Sequence, residues 1–291
     1  MISFTQFHAP GVAKSYELVN GKIVKNPAEN FKTGTYETVM VRSMVELANY
    51  IESLKPGDFI TSGVNQPQLN GHCGMGVNDV HRTKETFAFA SGEPGVLVID
   101  SDGLPEFGIK TIQEYEAAIE LLIGSADYVT SPSASSGISV DGVGGELRGV
   151  HCFCFVGDAV LIPEMLETLH KRSIILGYGY PFITKAGIVL IRSLVDLAMK
   201  TSNQPCYEGG AILAEGITQE RKLYYAQSGD EPKFLTVDPL TPEEQQSCET
   251  KSQELSESVA NKAQIVRAVW CAEREVKMVA RGCAPEKAKR I

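Results

Sequence analysis

The chain has 291 residues, 43% hydrophobic and 22% charged, a normal globular balance with enough apolar side chains for a sizeable core. Its formal net charge of −9 argues against a nucleic-acid binder recognisable by bulk positive charge, and leaves a local basic channel to do such work. Seven cysteines without a CxxC pair argue against a zinc ribbon. With no leader in MISFTQFHAPG and no long apolar run, a reduced, cytoplasmic protein is expected.

In chain order, the first 35 residues are polar and carry a hairpin turn at Asn20-Gly21. The apolar spacing of TVMVRSMVELANYIESL predicts a helix over 38–54, stopped by Pro56 and Gly57. DFITSGV reads as a short strand, and residues 65–78 as a loop. ETFAFAS and GVLVID read as strands, and TIQEYEAAIELLIGS as a helix with Thr111 as cap and Glu114 three residues on. YVTSPSASSGISVDGVGGE reads as a loop of small residues between that helix and the strand GVHCFCFVGD. In that strand Cys152 and Cys154 alternate with Phe153 and Phe155, a pattern of core thiols. PEMLETLHKRSIILG is helical, and IVLIRSLVDLAMKT fits a strand early and a helix late. AILAEGI and KFLTVD read as short strands. From Thr241 to Gly282 the composition turns to Glu, Lys, Gln, Ser and Ala, and one or two helices are expected, capped by Thr241 with Pro242 in the first turn. Val259, Ala263, Val266, Val269 and Trp270 are the expected buried stripe, and the charged end APEKAKRI reads as a cut or linker.

Three pieces carry the chemistry. The strand GVLVIDSDG ends in Asp100 and Asp102, which alternation puts on one face. The serine-rich TSPSASSG leads to GVH with His151 at a strand start. Asp196 lies in an apolar run, Leu194-Val195-Asp196-Leu197, where an unpaired carboxylate is costly. Two carboxylates from one strand and a third from a distant segment can hold two divalent cations for phosphoryl or nucleotidyl transfer.

In the order VLVIDSD, TSPSASSGI, GVH and SLVD, these pieces resemble the catalytic domain of the archaeo-eukaryotic primase superfamily, in its plasmid, phage and mobile-element branch. The match runs from about Val80 to Gly216, roughly half the chain. The resemblance implies an α/β (α+β) primase-polymerase core with an RNA-recognition-like mixed sheet and an N-terminal α/β unit over 1–238. A helical C-terminal module would follow over 239–291. It implies template-directed nucleotidyl transfer with Mg2+ or Mn2+, acting on a single-stranded DNA template and nucleoside triphosphates, with a replicative helicase as a further partner. Asp100, Asp102 and Asp196 match the metal-binding carboxylates, and His151 matches the histidine at the nucleotide's phosphates. Ser135 and Ser136 lie in the matching loop, and Arg82 and Lys84 in a basic segment one strand before the DxD. Gly149 stands where many relatives have serine, and Gln204 where a basic residue is expected. On the C-terminal helices Arg267, Arg274 and Lys277 are candidates for template phosphates. The competing readings are a metal-dependent phosphatase or sugar-nucleotide transferase using the DxD, and a catalytically inert replication-initiator domain that binds DNA.

Overall fold

The computed structural model describes residues 1–76 and 79–284. In chain order the elements are β1 (Ile2–His8), β2 (Ser15–Val19), β3 (Lys22–Asn26), β4 (Gly34–Val41), α1 (Met44–Ser53), β5 (Asp58–Thr61), β6 (Asn70–Cys73) and β7 (Gly95–Asp102). Then come α2 (Ile112–Ile123), β8 (Tyr128–Pro132), β9 (Ile138–Val140), β10 (Val143–Gly144), β11 (Gly149–Val156), α3 (Ile162–Ile175), β12 (Gly179–Ile183) and β13 (Val189–Ser193). β14 (Ile212–Leu213), β15 (Ile217–Gln219), β16 (Tyr224–Ala226), α4 (Pro242–Ser258) and α5 (Ala260–Ala280) complete the series. The chain is of the mixed α/β class, and it divides into two units: Met1–His170 with Leu194–Pro239, and Lys171–Ser193 with Leu240 onward.

The first unit is built on an eight-stranded mixed sheet in the order β16-β8-β11-β7-β1-β4-β6, with β5 also paired to β1. Val96, Leu97, Val98 and Ile99 of β7 are fully buried, so this strand is apolar on both faces. Their burial contributes roughly 6–12 kcal/mol gross. Two carboxylates about 7 Å apart repel by roughly 0.5–2.5 kcal/mol at effective dielectric constants of 80 to 20. Burial therefore wins, and the strand end can present Asp100 and Asp102 together. On one sheet face α2 packs its buried stripe of Ile112, Tyr115, Ala118, Ile119, Leu122 and Ile123. Tyr115 Oη lies 3.0 Å from Ser101 Oγ, and Glu116 accepts from Thr130 Oγ1 at 3.1 Å, which fixes that helix on the Ser101–Cys152–Thr130 side. Asp100, His151 and Ser131 therefore point to the opposite face. Cys152 and Cys154 are buried free thiols.

Two smaller sheets, β14-β2-β3 and β10-β9-β15, meet in a cluster of Tyr16, Ile138, Ala211 and Ile217. The β2–β3 turn is Asn20-Gly21 with both φ positive, at 52° and 74°, the backbone of a tight hairpin turn that matches strand twist. In the second unit β12 and β13 pair antiparallel and contact α4. Arg172 bonds Glu244 at 3.0 Å and Lys251 Nζ donates to the Ile175 carbonyl at 2.6 Å. Thr241 and Glu244 form a capping box at the start of α4, with Pro242 in the first turn.

Several expectations change. Residues 38–41 belong to β4, because Val39 and Val41 pair with β1, and the helix begins only after Ser43, whose Oγ accepts from Glu46 N. ETFAFAS forms a turn, with Phe87 N on Thr83 O at 2.9 Å, and makes an isolated bridge from Ala88 to Val64 in the segment that follows β5. KFLTVD likewise makes one bridge, Leu235 to Val156. The small-residue stretch contains β8, β9 and β10, and the N-terminal 35 residues contain β1. Within 65–78 lies β6, and Val77 and Asn78 fall outside the described residues, as does most of APEKAKRI. On the C-terminal helices Val259 is the junction between α4 and α5, Ala263 is buried, but Val269 is 55% exposed, so the buried stripe is narrower than expected. No helix among the described residues is long and apolar enough to cross a membrane.

The capping box of α2, Thr111 Oγ1 to Glu114 N at 3.2 Å with Glu114 Oε2 on Thr111 N at 3.0 Å, orients the helix beneath the site. Thr111→Ala should lower stability by about 1 kcal/mol in urea unfolding. An unchanged midpoint would show that packing alone sets this helix.

Candidate functional site

Strand register assembles the centre of the site. β11 runs antiparallel between β7 and β8, with His151 opposite Asp100 on one side and Ser131 on the other. Ser131, His151 and Asp100 thus form a row across three strands on one face. Glu208 reaches this row from the loop after residue 200. One oxygen, Oε1, is bonded to His151 Nδ1. The other, Oε2, accepts from Ser131 Oγ at 2.6 Å and from Arg221 Nη2 at 2.9 Å. Arg221 also donates to the Pro132 carbonyl from Nε at 2.6 Å and to the Glu208 carbonyl from Nη1 at 2.9 Å. His151 Nε2 lies 3.4 Å from Asp100 Oδ1. The Glu208 side chain is fully buried and that of His151 nearly so, while Asp100 keeps 24% of its side chain exposed.

Electrostatics follow from this geometry. Burial opposes the imidazolium, but the negative charges of Glu208 and Asp100 outweigh it and hold the His151 pKa above 6.5. The Cys206 thiol is itself pushed up to about 12, by burial first, so it is neutral and the two carboxylates supply the charge. Burial would raise Glu208, yet His151 and Arg221 hold it below its ordinary value. Arg221, Glu208, His151 and Asp100 form a chain of alternating charge.

Asp196 joins the row by its backbone. Its N–H donates to the Asp100 carbonyl at 3.0 Å, and Ser101 Oγ bonds the Leu194 carbonyl. The Asp196 side chain accepts from Ala198 N at 2.9 Å, capping a short turn at Leu197–Lys200. Asp102 is exposed at the strand end. Desolvation by the surrounding chain, then the charge of Asp100, push its carboxyl up; Asp196 adds to this, while His151 and Lys14 pull it down. Asp196 thus lies beside the DxD strand end by its backbone and its charge is felt at Asp102, but among the described residues the group of ligand atoms within 4.8 Å of one another is His151, Cys206 and Glu208, not the three aspartates.

The serine-rich loop closes the same edge. Ser133, Ser135 and Ser136 are buried. Ser136 Oγ donates to the Gly149 carbonyl at 2.9 Å and accepts from Arg148 N and Gly149 N at 3.0 and 3.1 Å. Ser135 Oγ bonds Ser133 Oγ at 3.2 Å. A Cβ at Gly149, where serine was the expectation, would stand 2.8 Å from Asp102 Oδ1, 3.1 Å from Ser133 Oγ and 3.2 Å from the Ser101 carbonyl, so a side chain there would have to displace the Asp102 carboxylate.

Compared with family models, with curated proteins and with solved structures, the chain finds no match.

Arg82 and Lys84 take no part in this hydrogen-bonded row. Arg82 stacks against the rings of Phe31 and Phe59 at 5.3 and 5.8 Å and bonds the Asn203 carbonyl, so its guanidinium is engaged in packing. Lys84 is exposed, and its carbonyl accepts from Ser202 Oγ at 3.4 Å. In the second unit Arg267 and Lys277 are exposed on α5, and Arg274 stacks over Trp270 at 4.9 Å. Glu208 and Arg221 were not foreseen. CYEGG and TQERK are polar loop sequences with no periodicity to mark them.

His151, Cys206 and Glu208 also bring ligand atoms within 4.8 Å of one another, a buried group with the donors to hold a metal ion. Binding there would require the imidazole and thiol to give up their protons. The hydrogen bonds to Glu208 favour the protonated arrangement.

Removing the Glu208 charge leaves His151 and Arg221 without their buried partner. Glu208→Gln should destabilise the protein by about 3–5 kcal/mol at neutral pH. Because Glu208 titrates lower when folded, this contribution is complete above its unfolded pKa of roughly 4.3 and is lost as pH falls through the folded value. The gap between wild type and variant, measured by urea unfolding across pH, should therefore shrink in acid. A loss under 1 kcal/mol, or one that does not change with pH, would contradict the charge chain.

Proposed function

We propose that the chain is a nucleotidyltransferase of the primase-polymerase kind, adding nucleotides on a single-stranded DNA template in the replication of a plasmid, phage or mobile element. The observation that carries this reading is the hydrogen bond from Asp196 N–H to the Asp100 carbonyl, which sets residue 196 of a distant segment beside the DxD strand end, with His151 directly across the ladder from Asp100. The run β7-α2-β8-β11-α3, with β11 between its two partners, supports it as three strands and two helices in the order of an RNA-recognition-like sheet, with β1 rather than a strand after α3 on the far side of β7.

The donor chemistry fits Mg2+ or Mn2+. Asp100, Asp102 and Asp196 offer only oxygen, the ligand type these hard cations take, and one to three carboxylates suffice because the ions keep waters and phosphate oxygens. Such ions supply positive charge at the reacting phosphate and lower the pKa of the attacking hydroxyl. The rest is done by the chain. His151, held protonated and fixed at Nδ1 by Glu208, directs Nε2 toward Asp100 and toward a phosphate brought beside it. A charge-assisted hydrogen bond from that nitrogen orients the nucleotide. Arg221 and Ser131 keep Glu208 in place. On α5, Arg267, Arg274 and Lys277 are the proposed template contacts, and a replicative helicase is the proposed partner. The pairing of Asp100 with His151 disfavours the phosphatase reading, in which Asp100 would attack phosphorus as a free nucleophile.

The test is incubation with primed and unprimed single-stranded DNA, labelled nucleotides and Mg2+ or Mn2+. Extension products are expected from the wild type, and none above background from Asp100→Asn or Asp102→Asn, both of which should fold normally. Full activity in either variant, or no incorporation by the wild type with either metal, would overturn the reading.

A further inference from the structure

We propose that Lys14, Lys25 and Arg148, together with the hydroxyl of Tyr16, form a binding site for a polyphosphate chain beside Asp102, and that its ligand is the triphosphate of a nucleoside triphosphate. The choice of a nucleotide rests on the transferase reading; the polyphosphate chemistry does not.

Two elements build the site. Tyr16 and Lys25 stand directly opposite each other on β2 and β3, so their side chains leave the hairpin on one face. The hairpin is anchored by Ile212 N on the Lys14 carbonyl and Ala214 N on the Tyr16 carbonyl, both at 2.9 Å. Tyr16 packs with Ile138 of β9, the strand that leaves the serine-rich loop. From the other side Arg148 precedes Gly149, which lies across the ladder from Asp102. Gly149 leaves open the space between Asp102 and Ser133 that any larger residue would fill.

Two independent observations point to an anion here. First, Tyr16 is 3% exposed and its hydroxyl is buried without a hydrogen-bond partner among the described residues, although it lies within range of the Arg148 charge. A buried hydroxyl is normally satisfied, and a phosphate oxygen would accept from it. Second, the chain brings three cations together. Desolvation, then Lys14 and Arg148, lower the Lys25 pKa, with Asp102 opposing them. Among the described residues Arg148 pairs with the Glu146 carboxylate at 3.8 Å, and both side chains are largely exposed, so that pair compensates little. A polyanion lying between these cations relieves their repulsion, satisfies Tyr16, and ends at the carboxylates where a metal-bound phosphate belongs.

The test uses the full chain and calorimetric titration with inorganic tripolyphosphate, ATP and a single-stranded oligonucleotide. Wild type should bind tripolyphosphate and ATP. Lys25→Ala combined with Arg148→Ala should weaken both at least tenfold, since hydrogen bonds to charged groups are each worth about that factor. Tyr16→Phe should weaken both by about tenfold while leaving the melting temperature unchanged or raised, because it removes an unsatisfied group. Unchanged affinity in the double variant, absence of tripolyphosphate binding to wild type, or loss confined to the oligonucleotide would each overturn the site as proposed. A Tyr16→Phe protein that is less stable but binds normally would also overturn it. If tripolyphosphate binds through these residues and no nucleotide is ever incorporated, the site stands and the transferase reading falls.

Discussion

A fully buried carboxylate is tolerated only when its charge is matched where it sits, and the first unit is organised around one. Glu208 lies under the sheet face with an imidazolium on one oxygen and a guanidinium and a hydroxyl on the other. Isolated, such a charge costs several kcal/mol or is neutralised; paired on every side, it holds its neighbours as firmly as they hold it. Arg221 also donates to the carbonyls of Pro132 and Glu208 and to Ser131 Oγ, so the same side chain that balances the charge ties the end of β8 to the loop that carries Glu208. The orientation of His151 follows. With Nδ1 committed to Glu208, Nε2 is the nitrogen left for Asp100 and for whatever approaches the strand end.

Asp100 is thus the junction of two systems. On its inner side the alternating chain Arg221–Glu208–His151 carries one net positive charge, which Asp100 balances. On its outer side Asp102 is pushed up by desolvation first and then by the charges of Asp100 and Asp196, which His151 and Lys14 only partly offset. The apolar run Val96–Ile99 supplies the burial that keeps the strand end in place against this repulsion. A strand buried on both faces and ending in carboxylates is therefore a device for presenting negative charge at a fixed position, with a cationic hairpin and Arg148 on one flank.

Much of this was legible in the sequence where one residue type in one place has one physical meaning. Asn20-Gly21 gave the hairpin, Thr111 and Thr241 with glutamate three residues on gave helix starts, and the continuous apolar run before Asp100 gave the buried strand. Asp196 stood out because it interrupts an apolar segment. Other features were hidden for definite reasons. β1 alternates imperfectly, with Thr5 buried among Ile2, Phe4 and Phe7, so it passed as polar coil. Asp141-Gly142, both at positive φ, is as strong a hairpin signal as Asn20-Gly21, but the small side chains around it concealed the strands. Residues 38–54 combine a strand and a helix whose apolar positions run in phase, and only the cap at Ser43 separates them. Glu208 and Arg221 could not be read locally, because their roles come from pairing across the fold, 57 residues from His151 in one case.

The most direct test of the account is the protonation state of His151, followed by NMR of imidazole nitrogens in the otherwise unaltered protein. The account requires an imidazolium through neutral pH, with a titration well above 6.5 that moves down when Glu208 is replaced by glutamine. A His151 that is neutral at pH 7, or that titrates at or below 6.5 with or without the Glu208 charge, would contradict it.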